Sequence, residues 1–512
     1  MQLGFVIDHS RCIGCHACTV ACKAENDVPL GSFRTWVKYT ETGAFPQVRR
    51  SFAVLRCNQC TEAPCVTICP VRALEKRPDG VVDVDPAACI GCKACMQGCP
   101  YDALYINEES GTAEKCHFCV HRTEIGLAPA CAVVCPTEAI VPGDFHDPAS
   151  AVSRLRSGDD LTVRRAEAGT GPNVFYREVS EPAIDPAQTR ADGGYLWAGR
   201  LPGLQLDAES FDAAQRAAEN RARTTYDVDH PAPWGGKVSA YLFTKSLAAG
   251  IFLALGLLLV RPAGADSLAP GEAAMLAGLA LAFLGLTTLL LVLDLKRPER
   301  FLYVVLRPNW SSWLARGSIV LIAYGAALGL LAMLLPILGY GPATIGLLLV
   351  GLPLAALTAC YTGWLFAQSK GRVLWMRRGL WLHLIVQALV AGAAMVLVLQ
   401  PMLAMPESLV TGMVASLLAA LAAHLAFVLT EDRMAPKRRE REFRRAVRLI
   451  SRGPFAVRHW SLGIALGILV PVLLLLTADS PAVRSVAGAA ALVGLYVEED
   501  LLVRAGQALG IS

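Results

Sequence analysis

The 512-residue chain has no Gly-rich nucleotide loop, no Ser/His/Asp arrangement and no flavin fingerprint. It is therefore expected to hold no catalytic residues for a primary small-molecule substrate. Met1 to Gly14 carries no apolar stretch of the kind a secretory signal needs. Arg49-Arg50 lies too deep, and is followed by too little apolar sequence, to direct export. A disulfide framework needs an oxidising compartment and is not expected here. Charge makes up only 18% of residues and thins out sharply after Lys237. Cysteine disappears from the same half. Beyond residue 135 only Cys360 remains, alone in an apolar run, and it reads as a small core residue.

The other sixteen of the seventeen cysteines form four groups of four. They are Cys12, Cys15, Cys18, Cys22; Cys57, Cys60, Cys65, Cys69; Cys89, Cys92, Cys95, Cys99; and Cys116, Cys119, Cys131, Cys135. Groups one and three have the C-x2-C-x2-C-x3-C spacing of two-cluster ferredoxins, in which three thiolates hold one cubane and the fourth ligates its neighbour. Groups two and four keep both ends and lengthen the middle. Pro70, Pro100 and Pro136 follow the last cysteine of three groups, whereas Lys23 follows the first. Structural zinc favours separated C-x2-C pairs around one ion, a poorer match. The expected cofactors are four [4Fe–4S] clusters on an α+β ferredoxin-like double repeat.

After Lys237 come about eight apolar runs near the roughly 20 residues that cross a bilayer. They are Val238–Val260, Ala273–Leu293, Trp313–Leu338, Ala343–Ala367, Leu380–Leu399, Leu409–Leu429, the short Leu462–Leu476 and the charge-bearing Ser485–Val503. The expected second unit is an all-α polytopic membrane bundle of about eight transmembrane helices. Residues 1–176 form the four-cluster domain, 177–236 a polar linker running as a tether, and 237–512 the transmembrane domain. Asp207 to Thr224 is read as one short helix within the linker.

An even number of spans puts both ends on one side. Cations gather in loops on that side: Lys296, Arg297, Arg300 and Arg307; then Lys370, Arg372, Arg377 and Arg378; then a run from Arg433 to Arg458. The opposite loops offer Arg261 and Arg484. By the positive-inside rule the cysteine domain faces the cytoplasm from the inner membrane. The net charge of +4 follows from this loop asymmetry and needs no nucleic-acid partner.

The first 176 or so residues resemble the four-cluster iron–sulfur subunits of the dimethyl-sulfoxide-reductase family of molybdopterin oxidoreductases. The matching features are the four cysteine groups, including the long gap from Cys119 to Cys131. The membrane half resembles the NrfD-like family of polysulfide reductase membrane subunits. That resemblance rests on the stretch from Arg297 to Gly317, on Tyr241-Leu-Phe-Thr-Lys245, and on Val503-Arg-Ala-Gly-Gln507. Together they imply a large catalytic partner carrying molybdenum or tungsten on a bis-pterin, and exchange with ubiquinone or menaquinone in the membrane. They imply no haem, although His383 and His424 are the two histidines within the expected spans.

Ionisable groups inside a membrane are costly and mark functional candidates. The quinone and proton candidates are His383, Gln387 one turn deeper on the same face, Glu498, His424, Lys245, Tyr361 and Asp294. All lie in the half-membrane beneath the cysteine domain. For Asp294, Gln368 and Asp500, helix-pair bonding or snorkelling is the simpler reading. Arg297, Arg307 and Asn309 read as loop anchors. The expected function is an electron-transfer and membrane-anchor subunit that joins a cytoplasmic catalytic subunit to the quinone pool. The alternative is a subunit of a cytochrome-linked, proton-translocating quinol-oxidising complex.

Overall fold

The computed structural model describes residues 1–44, 46–158, 160–189, 196–198, 222–259 and 268–511. The N-terminal region is mixed α/β. One four-stranded sheet runs in the order Ile140–Asp144, Leu3–Asp8, Val174–Arg177, Leu161–Thr162. Its centre, Leu3–Asp8, pairs antiparallel with Ile140–Asp144 and parallel with Val174–Arg177. The apolar run Phe5-Val6-Ile7 is fully buried, as a strand covered on both faces requires.

Two short hairpins, Leu74–Lys76 with Val82–Val84 and Leu104–Asn107 with Thr112–Lys115, repeat one unit. The short helices Pro64–Ile68 and Ala94–Gly98 pack against each other between them. This is the ferredoxin-like repeat that the cysteine spacing announces.

A second sheet corrects the reading of the linker. Its order is Leu196–Ala198, Arg223–Val228, Thr35–Ala44, Gln47–Arg56. The segment expected as a tether thus supplies a strand that closes onto the cysteine domain. Alternating Thr224, Tyr226 and Val228 favour a half-buried strand. Asp227 is buried, accepting from Trp36 Nε1 at 3.2 Å and facing Lys38 Nζ at 3.5 Å. Most of the helix expected over Asp207 to Thr224 lies outside the described residues, but Arg223 and Thr224 are strand.

Seven described helices are long and apolar enough to cross a membrane. They are α1 (Gly236–Leu259), α2 (Pro270–Asp294), α3 (Trp313–Leu338), α4 (Pro342–Gln368), α5 (Leu380–Met402), α6 (Glu407–Leu429) and α7 (Arg458–Thr477). The eighth expected span exists as α8 (Pro481–Gln507), a 27-residue helix, but its charges keep it from meeting the apolar criterion. At ~1.5 Å per residue its length is about that of its neighbours. It packs on α5 and α7, and its charges are met inside the bundle: Glu498 by His459, Glu499 by Ser246, and Asp500 by Ser239, Arg458 and Arg504.

Helix α7 starts earlier than hydropathy suggests, at Arg458 rather than Leu462, and its first twelve residues are π-helical. A hydropathy window trims Arg458 and His459 because it cannot see their partners on α8.

Small residues set the tightest crossing. Gly250 of α1 meets Gly392 of α5 so closely that a Cβ on either would overlap the other's backbone. Close approach through small side chains is how apolar helices associate in lipid. Between α6 and α7, Glu440–Ser451 is amphipathic, burying Phe443, Ala446, Val447, Leu449 and Ile450. This places the cation-rich loop flat against the bundle and the cysteine domain.

Candidate functional site

The sixteen cysteines regroup in space. Cys12, Cys15 and Cys18 share a small cavity with Cys135, and Cys116, Cys119 and Cys131 share another with Cys22. The thiols of Cys57, Cys60 and Cys65 come within electrostatic reach of Cys99, and those of Cys89, Cys92 and Cys95 of Cys69. Every quartet therefore takes three cysteines from one group and the last cysteine of another. Groups one and four exchange their final ligands, as do groups two and three. This swap is the ligand logic of paired cubanes.

Among the described residues no set of His, Cys, Asp or Glu is arranged around a single metal ion.

The surroundings of the sulfurs suit thiolates. Ala113 N donates to Cys89 Sγ at 3.4 Å and Ala139 N to Cys135 Sγ at 3.2 Å. Asn26 Nδ2 reaches Cys22 Sγ at 3.7 Å and Cys119 Sγ at 3.8 Å. As free thiols most would be protonated, since burial pushes Cys18 up to about 11 and Cys60 up to about 12. At the half-exposed Cys135, burial is outweighed by N–H groups of the Thr137–Ile140 turn, which bring the thiol below its ordinary value. Metal ligation would deprotonate such thiols outright. Donor chemistry and ligand swap together fit four [4Fe–4S] clusters.

Electrostatic proximity between quartets gives their order. Cys18 neighbours Cys131, Cys57 neighbours Cys116, and Cys65 neighbours Cys95. The series runs from the Cys12 quartet through the Cys22 and Cys57 quartets to the Cys89 quartet, which faces the membrane helices.

Docking there is specific. The Arg297 to Gly317 stretch reads the ends of the cysteine loops: Arg300 Nη1 donates to Cys89 O at 2.9 Å, and Asn309 Nδ2 to Cys69 O at 2.8 Å and Val66 O at 3.1 Å. Ser312 Oγ donates to Ile68 O at 2.7 Å. At the other edge Gln97 bonds Gln507 at 2.6 Å and accepts from Arg372 Nε at 2.7 Å. The loop motif and the C-terminal motif are thus the two clamps.

Between α1, α2, α3 and α4, directly under the Cys89 quartet, lies an apolar cavity of about 410 Å³. Cys92 lines it, with Tyr241, Thr288, Asp294, Ser318 and Tyr361 as its main polar groups. Asp294 accepts from Lys93 Nζ at 3.0 Å, so one ion pair bridges the residue after a ligand and the cavity wall. Of the sequence candidates, Tyr361 and Asp294 lie here.

The remaining candidates do not line this cavity. Lys245 is fully buried between α1 and α4, donating to Thr362 Oγ1 at 2.7 Å and Ala359 O at 2.9 Å, with its ammonium over the Tyr361 ring at 5.2 Å. Gln387 is buried, and among the described residues nothing bonds its Oε1. His383 and His424 bond each other at 2.7 Å, and Arg377 joins His383 Nδ1 to Glu431. Glu498 accepts from His459 Nδ1 at 2.8 Å and lies within electrostatic reach of His424. Sequence reasoning missed His459, Arg377 and Glu431. His459 fell outside the trimmed seventh span, and Arg377 was counted only as a topological cation. Their signal was the placement of His and Arg just beyond an apolar run.

A family model for the polysulphide reductase NrfD matches residues 226–510. This protein belongs to the NrfD family. A 4Fe-4S dicluster domain model matches residues 48–145, so here an iron–sulfur domain is fused to an NrfD membrane domain. The iron–sulfur part is similar to a tetrathionate reductase subunit of Salmonella typhimurium, 43% identical over 38% of this chain and 80% of that protein. It is also similar to a polysulfide reductase polypeptide of Wolinella succinogenes, 37% identical over 34% of this chain and 93% of that protein. The arsenate respiratory reductase iron-sulfur subunit of Shewanella is 36% identical over 34% of this chain and 96% of its own length. The dicluster match takes in groups two to four, and the first group completes two of the quartets those groups frame.

Proposed function

We propose that this chain is the electron-transfer and membrane-anchor subunit of a molybdopterin oxidoreductase, carrying electrons between a cytoplasmic catalytic partner and the quinone pool. The observation that carries the reading is the cavity of about 410 Å³ beneath the Cys89 quartet. It is apolar, as a quinone ring needs, and it touches a cluster ligand through Cys92. A few polar groups converge in it, a pattern common to small-molecule sites. The four quartets would hold one-electron carriers, while Tyr241, Tyr361 and Asp294 would orient the quinone carbonyls and exchange protons with them. The relatives named as reductase subunits support a large catalytic partner with molybdenum or tungsten on a bis-pterin. The cation-rich loops on the side of the cysteine domain support a cytoplasmic orientation.

Mild-detergent purification with mass spectrometry of co-purifying chains and metal analysis tests this. A large partner with molybdenum or tungsten is expected. Haem-bearing partners without either metal would instead support the proton-translocating quinol-oxidising alternative.

A further inference from the structure

Arg56 ends the strand Gln47–Arg56, one residue before the ligand Cys57. Its side chain turns the other way, into the cavity framed by Cys22, Cys116, Cys119 and Cys131. It is fully buried. Nη1 donates to Cys131 Sγ at 3.2 Å, and the guanidinium lies over the Phe5 ring at 4.4 Å. Nε and Nη2 have no hydrogen-bond partner among the described residues. Its strongest electrostatic neighbours are thiols, Cys131, Cys116 and Cys18, the last belonging to the adjacent quartet, and the neutral Tyr176 hydroxyl is also within reach. Among the described residues no carboxylate pairs with it.

Arg34, which lines the same cavity, is different. It donates to Glu114 at 2.9 Å and to the Tyr105 hydroxyl, so its charge is answered by protein.

A guanidinium stays protonated in proteins. An unpaired buried charge is among the most costly features a fold can carry. Something anionic must therefore answer Arg56, and among the described residues the groups nearest it that metal ligation would make anionic are cluster ligands. A thiolate-bound cubane is net anionic, and one added electron makes it more so. A fixed cation beside it favours the reduced form. Charge near a cluster is one of the established determinants of its potential.

We infer that Arg56 is a built-in counter-charge shared by the Cys22 and Cys12 quartets, raising the reduction potential of the half of the wire away from the membrane. This rests on the iron–sulfur reading, which iron content tests separately. Lys115 sits at the next junction in a comparable way. It is buried, donates to Cys116 O at 2.9 Å, and lies near Cys57 of the following quartet. Lys115 extends the pattern but is not needed for the inference.

The test is potentiometric EPR on the purified full complex carrying Arg56→Gln or Arg56→Lys, with iron counted in each. The expected result for Arg56→Gln is full iron and a lowered midpoint potential for at least one cluster. The signal that Cys92→Ser perturbs should keep its potential, and Arg56→Lys should stay near wild type. Wild-type potentials in a fully loaded Arg56→Gln complex would overturn the inference, leaving Arg56 a space-filling residue. If Arg56→Gln does not load iron, Arg56→Lys decides. Full loading with wild-type potentials supports the counter-charge, since lysine keeps charge but not shape. Failure to load shows that guanidinium shape is the requirement, and the inference falls.

Discussion

Asp294→Asn separates chemistry from architecture at the membrane end of the wire. Among the described residues Asp294 is the one carboxylate lining the cavity, and it is held by Lys93 at 3.0 Å with both side chains mostly buried. Two losses follow from the substitution. In the quinol-oxidising direction the proposed role makes Asp294 the base that takes the quinol proton, and its loss removes a positioned group of a kind that contributes roughly 10²–10⁴ in rate. At about 1.36 kcal/mol per factor of ten, that is ~3–5 kcal/mol of barrier. Lys93 also loses its partner, at a cost to docking of about 3 kcal/mol, near the lower end for breaking a buried pair.

The remaining clamps, among them Asn309, Ser312 and Gln507, should keep the two halves together. Stopped-flow reduction of the iron–sulfur chromophore by quinol reads the first loss, and its thermal bleaching reads the second. The double variant Lys93→Met with Asp294→Asn distinguishes them, because paired removal returns stability without returning the proton acceptor. Thermal stability should recover while quinol reduction stays slowed at least about a hundredfold. Wild-type quinol kinetics in Asp294→Asn, or their recovery in the double variant, would refute the role given to Asp294.

Three further outcomes are expected. Cys69→Ser and Cys92→Ser should perturb the same EPR signal, and Cys99→Ser a different one, because the final ligands are exchanged between groups two and three; if Cys99→Ser and Cys92→Ser share a signal instead, the swap is wrong. Asn309→Ala leaves two carbonyls of the Cys69 loop without their donor and should lower the stability of docking by about 1–3 kcal/mol, read as earlier thermal bleaching. Proteoliposomes with a potential-sensitive dye should show little membrane potential during quinone turnover. The polar groups His383, His424, His459, Glu498 and Asp294 lie toward the cysteine domain, so protons would enter and leave on the side where the partner works; a sustained potential contradicts this.

Much of this was legible from residue types and spacing. Ligand thiols recur at fixed intervals because a cubane demands them, so the quartets could be anticipated from sixteen cysteines. Membrane helices announce themselves through apolar length, and seven of the eight expected do so by composition. Helix α8 shows where that signal fails: its charges are paired across helices, and no local window records a partner such as His459 or Ser246. The same blindness shortened α7 and hid His459. The strand Arg223–Val228 was missed because its pairing partner, Thr35–Ala44, is far away in sequence. Within the candidate site, depth along each helix was readable but rotation was not. The sequence candidates therefore formed one list, whereas Asp294 and Tyr361 line the cavity and His383, His424 and Glu498 form a separate buried network.

In the proposed function, electrons pass between the quinone pool and four clusters in this chain. The most direct test is anaerobic addition of quinol to the purified complex in lipid, followed by EPR and iron analysis. About sixteen irons per copy are expected, from four cubanes, with cluster signals that appear on quinol addition and develop at least about a hundredfold more slowly in Asp294→Asn. Full iron with clusters that dithionite reduces but no quinol reduces at any potential within their range would contradict it.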